Sequence, residues 1–281
     1  MTILVTGGRG QVARAVVDGL LTAGQPVRVA SRDPEAAQVP DGVQAVRVDL
    51  SDPGTLPAAL DGVEKVFLYA DAKGIDGFIA AAEAAGAPHI VLLSTSSLTR
   101  ANADRNPIAQ MHVAVEDRLR ASGLPWTFLR PGTFATNTLQ WAPAIRATGV
   151  VKAPYPQAHA SAIHEADIAD IAVKAFTEPG HEGQAYLLSG PESVTQQEQV
   201  DCLAEATGRK IRLEEVSPEE YRATLSRWGG DNFIDQLLEY LAMWDGKPMP
   251  VCPAYTELTG RRGRTYAQWA RDHAADFRPA D

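Results

Sequence analysis

The amino-terminal segment places a strand, a glycine-rich turn and a helix in succession, and this order constrains the fold more than any other feature. Thr2–Thr6 is an apolar run typical of a buried strand. From about Gln11 to Ala23, apolar residues recur at helical spacing, and Gly24 is a natural stop. A strand that passes through a tight turn into a helix is the opening unit of many parallel α/β sheets.

The turn itself carries a recognisable pattern. Gly7, Gly10 and Ala13 occupy the positions of a G-x-x-G-x-x-G/A fingerprint. Gly7 permits the tight turn, Gly10 lets the backbone approach a pyrophosphate, and Ala13 is small enough for the helix to pack on the strand. The first N–H groups of the helix, at Gln11 and Val12, favour phosphate together with the helix dipole. We therefore predict a dinucleotide site here, rather than a turn with no ligand.

The residues after the second predicted strand, Val27–Ala30, indicate which dinucleotide is preferred. NAD-specific sites usually place an acidic residue at the end of this strand to hold the ribose 2′-hydroxyl. Here Ser31, Arg32 and Asp33 follow, and Arg32 is placed to meet a 2′-phosphate through charge-assisted bonds. Arg9, within the turn, is a second candidate, although each arginine alone also fits a solvated surface charge. We expect NADP(H), with NAD(H) the less favoured option that Asp33 keeps open.

Asp49 and Leu50 follow the third predicted strand. A carboxylate at this point can accept a hydrogen bond from the adenine amino group, while the leucine packs on the ring. Asp49 also fits a second interpretation, in which it is an acidic residue ahead of a helix at Thr55–Leu60. Both interpretations stay open, and the adenine contact is the one we favour.

The first two-thirds of the chain alternates short apolar runs with amphipathic stretches, which is typical of a parallel sheet covered by helices. The predicted strands are Thr2–Thr6, Val27–Ala30, Ala45–Val48, Lys65–Tyr69, Ile90–Ser94 and Trp126–Arg130. The predicted helices are about Gln11–Ala23, Ile75–Ala85 and Ile108–Ala121. This order predicts an α/β fold with a Rossmann-type, doubly wound parallel sheet.

Composition changes after about Leu129, and prolines interrupt the following stretch. A helix at Ala166–Phe176 and a strand at Gln184–Leu188 return towards the sheet, whereas the last third is rich in helix start signals such as Thr195-x-x-Glu198. We therefore expect residues 1–155 to form an NADP-binding Rossmann domain, with a returning segment from about 160–190. Residues 191–281 should form a smaller, mainly helical region that binds substrate or acts as a lid.

Charge and composition exclude several classes of protein. The formal net charge is -9, with 35 acidic against 26 basic residues, which argues against direct binding of nucleic acid or an anionic membrane. No apolar run approaches the ~20 residues of a membrane-spanning helix, and no basic leader precedes the first strand, so we expect a cytoplasmic protein. Cys202 and Cys252 match no metal-ligand spacing, and His164-Glu165 lacks the second histidine of a zinc protease, so we predict no metal.

These residues, with others along the chain, resemble the NmrA-like branch of the atypical short-chain dehydrogenases/reductases. The matching segments are Thr6–Ala13, Val29–Pro34, Val48–Leu50, Val91–Ser96, His112–Asn137, Ile163–Ala169 and Ser189–Glu192. The resemblance implies the Rossmann fold and an NAD(P)H cofactor over nearly the whole chain. The branch includes quinone oxidoreductases, isoflavone-reductase-like enzymes and non-catalytic redox sensors, so it implies the reaction less strongly than the cofactor.

Reductases of the wider superfamily use a Tyr-x-x-x-Lys pair on the helix after the fifth strand, with the tyrosine as proton donor. Counting back from Glu116 puts His112 in the lysine position and Ile108 in the tyrosine position, so the usual pair is missing. The resemblance implies that His112 binds the nicotinamide ribose or acts as the acid itself. An ordinary helix histidine is the alternative.

A literal Tyr-x-x-x-Lys occurs elsewhere, at Tyr69–Lys73, where the fourth strand ends. Its two side chains need not share a helical face, so we do not expect a catalytic pair. Because the carboxyl ends of parallel strands form the ligand crevice, Tyr69, Ala70 and Asp71 are expected to line the cofactor cleft. Tyr69 is kept as a second candidate for the proton donor.

The substrate side of the site is predicted from the resemblance. Ser94 and Ser96 end the fifth strand, where related reductases keep a hydroxyl near the substrate carbonyl, although a polar strand-to-loop transition also explains them. Phe134 and Asn137 should lie above the nicotinamide and shape the substrate pocket, and Phe134 fits a packing role equally well.

Together these features predict an NADPH-dependent reductase that passes hydride to a small quinone, enone or ketone, as a monomer or homodimer. A quinone needs little acid help, because its reduced oxygen is a stable anion, so a missing tyrosine matters less. The alternative is a non-catalytic NADP(H)-binding redox sensor of the NmrA type. A sensor needs the same turn and Arg32, but has no need of His112.

Overall fold

A computed structural model describes residues 2–225 and 231–279 of the chain. Its main feature is a seven-stranded sheet in the order β3-β2-β1-β4-β5-β6-β9. The strands are β1 (Thr2–Val5), β2 (Val27–Ser31), β3 (Gln44–Arg47), β4 (Val63–Tyr69), β5 (His89–Leu93), β6 (Trp126–Pro131) and β9 (Gln184–Leu188). Every neighbouring pair is parallel. The predicted strands are confirmed, with ends that shift by one or two residues.

Helices cover both faces of this sheet because its central strands are apolar on both sides. They are α1 (Gln11–Thr22), α2 (Leu56–Leu60), α3 (Ile75–Ala84), α4 (Pro107–Ala121) and α6 (Glu165–Thr177). Helices α2, α3 and α4 bury Leu60, Phe78 and Leu119 in one core cluster with alternate strand residues. Helices α1 and α6 pack against each other, and a Cβ on Gly19 would stand 3.0 Å from Val173. The predicted Rossmann-type, doubly wound sheet is confirmed.

The chain divides into two compact units. Among the described residues, the first unit comprises residues 2–132, Glu165–Leu188 and Glu257–Thr259, and the second comprises the remainder. The first continuous segment of the first unit thus ends at Gly132, whereas the sequence pattern had placed this boundary at residue 155. The reason is a strand pairing that the sequence pattern did not indicate: β7 (Val150–Ala153) runs parallel to β11 (Arg212–Glu215), within the second unit.

The second unit combines short strands with helices around its own apolar core. The further strands are β8 (His159–Ala160) and β10 (Val194–Thr195), and the helices are α5 (Ala142–Thr148), α7 (Gln196–Thr207), α8 (Pro218–Leu225), α9 (Asp231–Met243) and α11 (Tyr266–Asp272). Helix α10 (Ala254–Thr259) begins in the second unit, and its residues Glu257–Thr259 are counted with the first. Ile145, Leu203, Trp269 and Phe277 are fully buried in its core. The predicted capping box at Thr195 is present in full.

Every helix in residues 2–225 and 231–279 is too short or too polar to serve as a membrane span.

Candidate cofactor site

A cavity of about 550 Å³ opens where β1, β2, β3 and β4 end, all within the first unit. This is the edge at which parallel sheets bind their ligands, because all of these strands end there and their following loops meet. The cavity brings together eight of the predicted site residues, namely Gly7, Arg9, Gly10, Arg32, Asp49, Leu50, Tyr69 and Ala70. Asp71, which was expected here beside Tyr69 and Ala70, also lines the cavity, and Thr6, Gly8, Ala30, Ser31, Val48 and Ser51 complete its lining.

The glycine turn needs each of its glycines for a different reason. Gly7 has φ of +70°, a left-handed conformation that side chains other than glycine adopt only with strain. Its carbonyl accepts a hydrogen bond from Gly10 N at 2.8 Å, which closes the turn. A Cβ on Gly8 would stand only 2.3 Å from Val29 Cγ1 on β2. Gly8 is therefore a third required glycine, and the doubled glycine at positions 7 and 8 was the signal that could have shown it.

The first turn of α1 is open towards an anion. Gly10 is its N-cap residue, with extended backbone, and offers no side chain to cap the helix. The first N–H groups of a helix have no carbonyl partner within it, so those of Gln11 and Val12 are available to a ligand. Arg14 N donates to Gly10 O at 3.0 Å and begins the regular helical bonding. The arrangement fits a pyrophosphate at the start of α1.

Ser31 shapes the loop after β2. Its buried hydroxyl accepts from Asp33 N at 3.1 Å and donates to Asp33 O at 2.8 Å, so the backbone turns sharply around Arg32. The Arg32 side chain is exposed and lines the cavity, as does the exposed Arg9. Asp33 directs its carboxylate to Ala36 N at 3.3 Å. The two arginines therefore give one end of the cavity a positive charge.

Asp49 lies in the cavity with its carboxylate already oriented. Its Oδ1 accepts from Ser51 Oγ at 2.6 Å and from Ser51 N at 3.0 Å. These two bonds, helped by the charges of Arg32 and Arg47, hold the pKa of Asp49 below its ordinary value. Asp52, rather than Asp49, caps the following 3₁₀ turn by accepting from Gly54 N at 3.2 Å. The geometry favours the adenine interpretation of Asp49 over the helix-cap interpretation.

Tyr69 stands at the end of β4 and is half-buried in the cavity wall. Burial raises the pKa of its phenol to about 12, against a weaker effect of the Ala13 backbone amide. A phenol with a raised pKa gives up its proton less readily, which disfavours the role of general acid. Asp71 Oδ1 accepts from Lys73 N at 2.9 Å and from Gly74 N at 3.2 Å, so this stretch is a turn ahead of α3. Tyr69 and Lys73 do not share a helix, as expected.

His112 lies on α4, in the first unit. It is not among the described residues that line the cavity. Its Nδ1 is 2.8 Å from Ile108 O, one turn earlier. Because a carbonyl only accepts, Nδ1 carries the hydrogen, and Nε2 of the neutral ring is an acceptor. Burial lowers the pKa of His112, against the Ile108 carbonyl and the charge of Glu116. The ring is therefore suited to accept a hydrogen bond at Nε2.

Ser94 and Glu116 form a buried polar network that sequence reasoning missed. Ser94 Oγ donates to Glu116 Oε1 at 2.6 Å. Arg130 binds the same carboxylate in bidentate fashion, with Nε 2.9 Å from Oε1 and Nη2 2.5 Å from Oε2, and Arg120 Nη2 donates to Oε2 at 2.6 Å. Burial alone would raise the pKa of Glu116, but these hydrogen bonds and charges outweigh it and lower the pKa. The network ties α4 to the ends of β5 and β6.

The predicted substrate residues fall in different parts of the chain. Ser96 begins a 3₁₀ turn, Ser96–Thr99, that is capped by Thr95 Oγ1 accepting from Ser97 N at 3.2 Å. Phe134 and Asn137 belong to the second unit, where Asn137 N donates to Phe134 O at 3.1 Å. Their roles towards a substrate stay predictions. Across the described ranges, no three His, Cys, Asp or Glu side chains form a cluster suited to a metal ion.

Comparison with known proteins follows this geometry. Residues 7–179, more than half of the chain, match the model of an NAD(P)H-binding family. The chain belongs to this NAD(P)H-binding family. The match begins at the glycine turn and extends beyond α6, so it includes the turn and strands β2, β3 and β4 around the cavity. The predicted resemblance to NmrA-like reductases and the predicted nicotinamide dinucleotide cofactor are thereby confirmed.

Several relatives of the chain are named as reductases. A (4-alkanoyl-5-oxo-2,5-dihydrofuran-3-yl)methyl phosphate reductase of Streptomyces griseus is 39% identical, over 99% of each chain. An NAD(P)H azoreductase of Xenophilus azovorans is 34% identical, over 98% of this chain and 99% of the relative. The NADPH-dependent quinone oxidoreductase of Escherichia coli, solved with NADPH, has a TM-score of 0.79 at 26% identity, covering 96% of this chain and 99% of that one. The chain is accordingly an NAD(P)H-dependent oxidoreductase of this family.

Proposed function

We propose that the chain is an NADPH-dependent reductase of small conjugated carbonyl or quinone compounds. The observation that carries the proposal is the cavity at the ends of β1 to β4, in which the glycine turn and the start of α1 face two arginines. When bound, reduced nicotinamide supplies the hydride, and the protein supplies binding, orientation and exclusion of water.

NADPH is favoured over NADH by the charges at the end of β2. Arg32 and Arg9 offer guanidinium groups to a 2′-phosphate, and such charge-assisted bonds are stronger than neutral ones. The carboxylate that would serve an NAD-specific site, Asp33, is bound to the Ala36 backbone instead. At the other end of the same subsite, Asp49 is held by Ser51 as an acceptor for the adenine amino group.

The substrate class follows from the chemistry that the relatives share. Their names specify an acyl-substituted unsaturated lactone phosphate, azo compounds and quinones. Each acceptor is a conjugated, electron-poor system that spreads the charge arriving with a hydride. Because the product anion is already stabilised, proton transfer can follow from water or a weak acid. This chemistry is compatible with a helix α4 that carries Ile108 where the usual tyrosine stands.

We assign His112 to the nicotinamide ribose rather than to proton donation. With Nδ1–H directed at Ile108 O, neutral His112 presents an acceptor at Nε2, which suits a ribose hydroxyl. Ser94 is a candidate for polarising a carbonyl only if it gives up its bond to Glu116. Ser96, Phe134 and Asn137 are proposed to line the substrate pocket. Cytoplasmic location, and a monomer or homodimer, remain predictions.

The test is a panel of acceptors with purified protein. An acyl butenolide, a simple quinone and an azo dye are each mixed with NADPH or NADH, and loss of the reduced cofactor is followed by absorbance. We expect turnover with at least one conjugated acceptor and a clear preference for NADPH. If NADPH binds tightly in calorimetry while no acceptor is reduced, the redox-sensor alternative is supported instead. If NADPH does not bind, both functions are excluded.

A further inference from the structure

The aromatic ring of Tyr69 lies directly over the glycine turn. A Cβ added to Gly7 would come within 2.6 Å of Tyr69 Cδ2, and one added to Gly10 within 2.8 Å of the phenol oxygen. Both distances are far shorter than a van der Waals contact, so a side chain at either position must displace the ring. The spaces above Gly7 and Gly10 are therefore already filled by Tyr69.

The ring is held in this position by the neighbouring strand. Thr6 Oγ1, at the end of β1, accepts from Tyr69 N at 2.9 Å and donates to Phe67 O at 3.1 Å. The Phe67 ring meets that of Tyr69 edge-on, with centroids 5.9 Å apart. Thr6 immediately precedes the glycine turn, so one residue fixes both the start of the turn and the residue that covers it.

The hydroxyl of Tyr69 lies at the start of α1. The N-cap residue Gly10 has no side chain, and the phenol oxygen stands 2.8 Å from the position that a Cβ on Gly10 would take. Ser, Thr or Asp is usual at an N-cap position, because its side chain accepts from the first backbone N–H groups of the helix. The Tyr69 hydroxyl, supplied by another strand, thus occupies the space of that missing side chain. The N–H groups of Gln11 and Val12, at the first two positions, are left for phosphate oxygens.

We infer that Tyr69 is a positioning residue of the cofactor site: its ring forms one wall of the phosphate cradle and its hydroxyl fills the space of an N-cap side chain at the start of α1. The glycine at position 10 is required because of Tyr69, in addition to any requirement from the pyrophosphate itself. This inference rests on the proposed dinucleotide site. It assigns Tyr69 to binding rather than to chemistry.

The test is a double-mutant cycle between Gly10 and Tyr69, with NADPH affinity measured by calorimetry and thermal unfolding of the free protein as a second readout. Gly10→Ala in the otherwise unchanged chain should weaken NADPH binding about tenfold or more and lower Tm. In a Tyr69→Ala background the same change should weaken binding by less than about threefold and leave Tm nearly unchanged, because the remaining close neighbour is Gly7 O at 3.3 Å.

Two matched controls come from the same turn. Gly7→Ala should remain harmful in the Tyr69→Ala background because its φ of +70° is strained for alanine. Gly8→Ala should remain harmful because its obstacle is Val29. Equal effects of Gly10→Ala in both backgrounds, on affinity and on Tm, would overturn the inference. Absence of NADPH binding by the unmodified chain would instead overturn the proposed function, while the Tm cycle still decides the contact.

Tyr69→Phe separates the ring from the hydroxyl. In a Tyr69→Phe background Gly10→Ala should lose most of its effect on NADPH affinity and on Tm, because the phenol oxygen at 2.8 Å is removed and the ring carbon behind it lies at 3.4 Å. For Tyr69→Phe alone, a fall in kcat of about a hundredfold at unchanged NADPH affinity, the effect of losing a general acid, would contradict the assignment.

Discussion

Ser94 donates its hydroxyl hydrogen to Glu116 Oε1 at 2.6 Å, and both side chains are buried. The bond joins the end of β5 to the middle of α4, one turn from His112. Two arginines complete the coordination of the carboxylate. A serine selected as a candidate for substrate binding is therefore also part of the framework that holds α4 in place.

Removing the Glu116 carboxylate should destabilise the fold strongly. Glu116→Ala leaves the Arg130 guanidinium, only 15% exposed, without its partner, and we expect a loss of about 3–5 kcal/mol in the free energy of unfolding. Glu116→Gln should lose less, because its amide oxygen still accepts. Urea unfolding measures both. The matched control is Asp117→Ala, which removes an exposed partner of Arg120 and should cost below about 1 kcal/mol. Similar losses for Glu116→Ala and the control would contradict the prediction.

Arg32 should decide the choice between NADPH and NADH. Arg32→Ala removes a charge-assisted contact to the 2′-phosphate, so NADPH affinity should fall about tenfold to a hundredfold, while NADH affinity changes by less than about threefold. Titration calorimetry with each dinucleotide checks this. Arg47→Ala is the control, since Arg47 is exposed near Asp49 but outside the cavity lining. Equal losses for the two dinucleotides would exclude the 2′-phosphate assignment.

His112 should contribute to the binding of NADPH, and this contribution should depend on pH. Its pKa is lowered from 6.5 by burial, so it is neutral at pH 7 and accepts at Nε2. Protonation fills that acceptor, and NADPH affinity should therefore decrease as the pH falls through the lowered pKa. His112→Ala should weaken NADPH binding about twofold to tenfold and abolish this pH dependence. A fall in kcat of more than about a hundredfold at unchanged affinity would show that His112 is the acid.

His89 should make the fold less stable in acid. It begins β5, is buried, and its Nε2 lies 2.9 Å from Thr127 Oγ1. Burial lowers the pKa of His89, against the charge of Glu182, while Lys65 and His181 lower it further. A lowered folded pKa means that the unfolded chain binds more protons, so the stabilisation is present above pH 6.5 and is lost as the pH falls below it. His89→Gln should show a flatter dependence of unfolding free energy on pH between roughly 7 and 5. Parallel curves for the two proteins would refute this.

Local sequence patterns explain why the fold of the first two-thirds of the chain, and the place of the cofactor cleft, could be predicted. A glycine turn between an apolar strand and an amphipathic helix is encoded in consecutive residues, and so is the alternation of strands and helices in the first two-thirds. The location of the ligand cleft then follows, because a parallel sheet places the carboxyl ends of its strands at one edge. For this reason Arg32, Asp49 and Tyr69, which span 37 positions of the chain, were expected to lie in one cleft. The structure places all three in the lining of one cavity.

The sequence alone thus determined the fold class, the nicotinamide dinucleotide and most of the residues that line the cavity, since each depends on short-range periodicity and on the chemistry of single residue types. Only the tertiary structure decided the relations between distant residues: Val29 against Gly8, the Tyr69 ring over Gly10, Glu116 between Ser94 and Arg130, and the pairing of β7 with β11. These contacts depend on how separate elements pack, and packing selects among partners that no local pattern distinguishes.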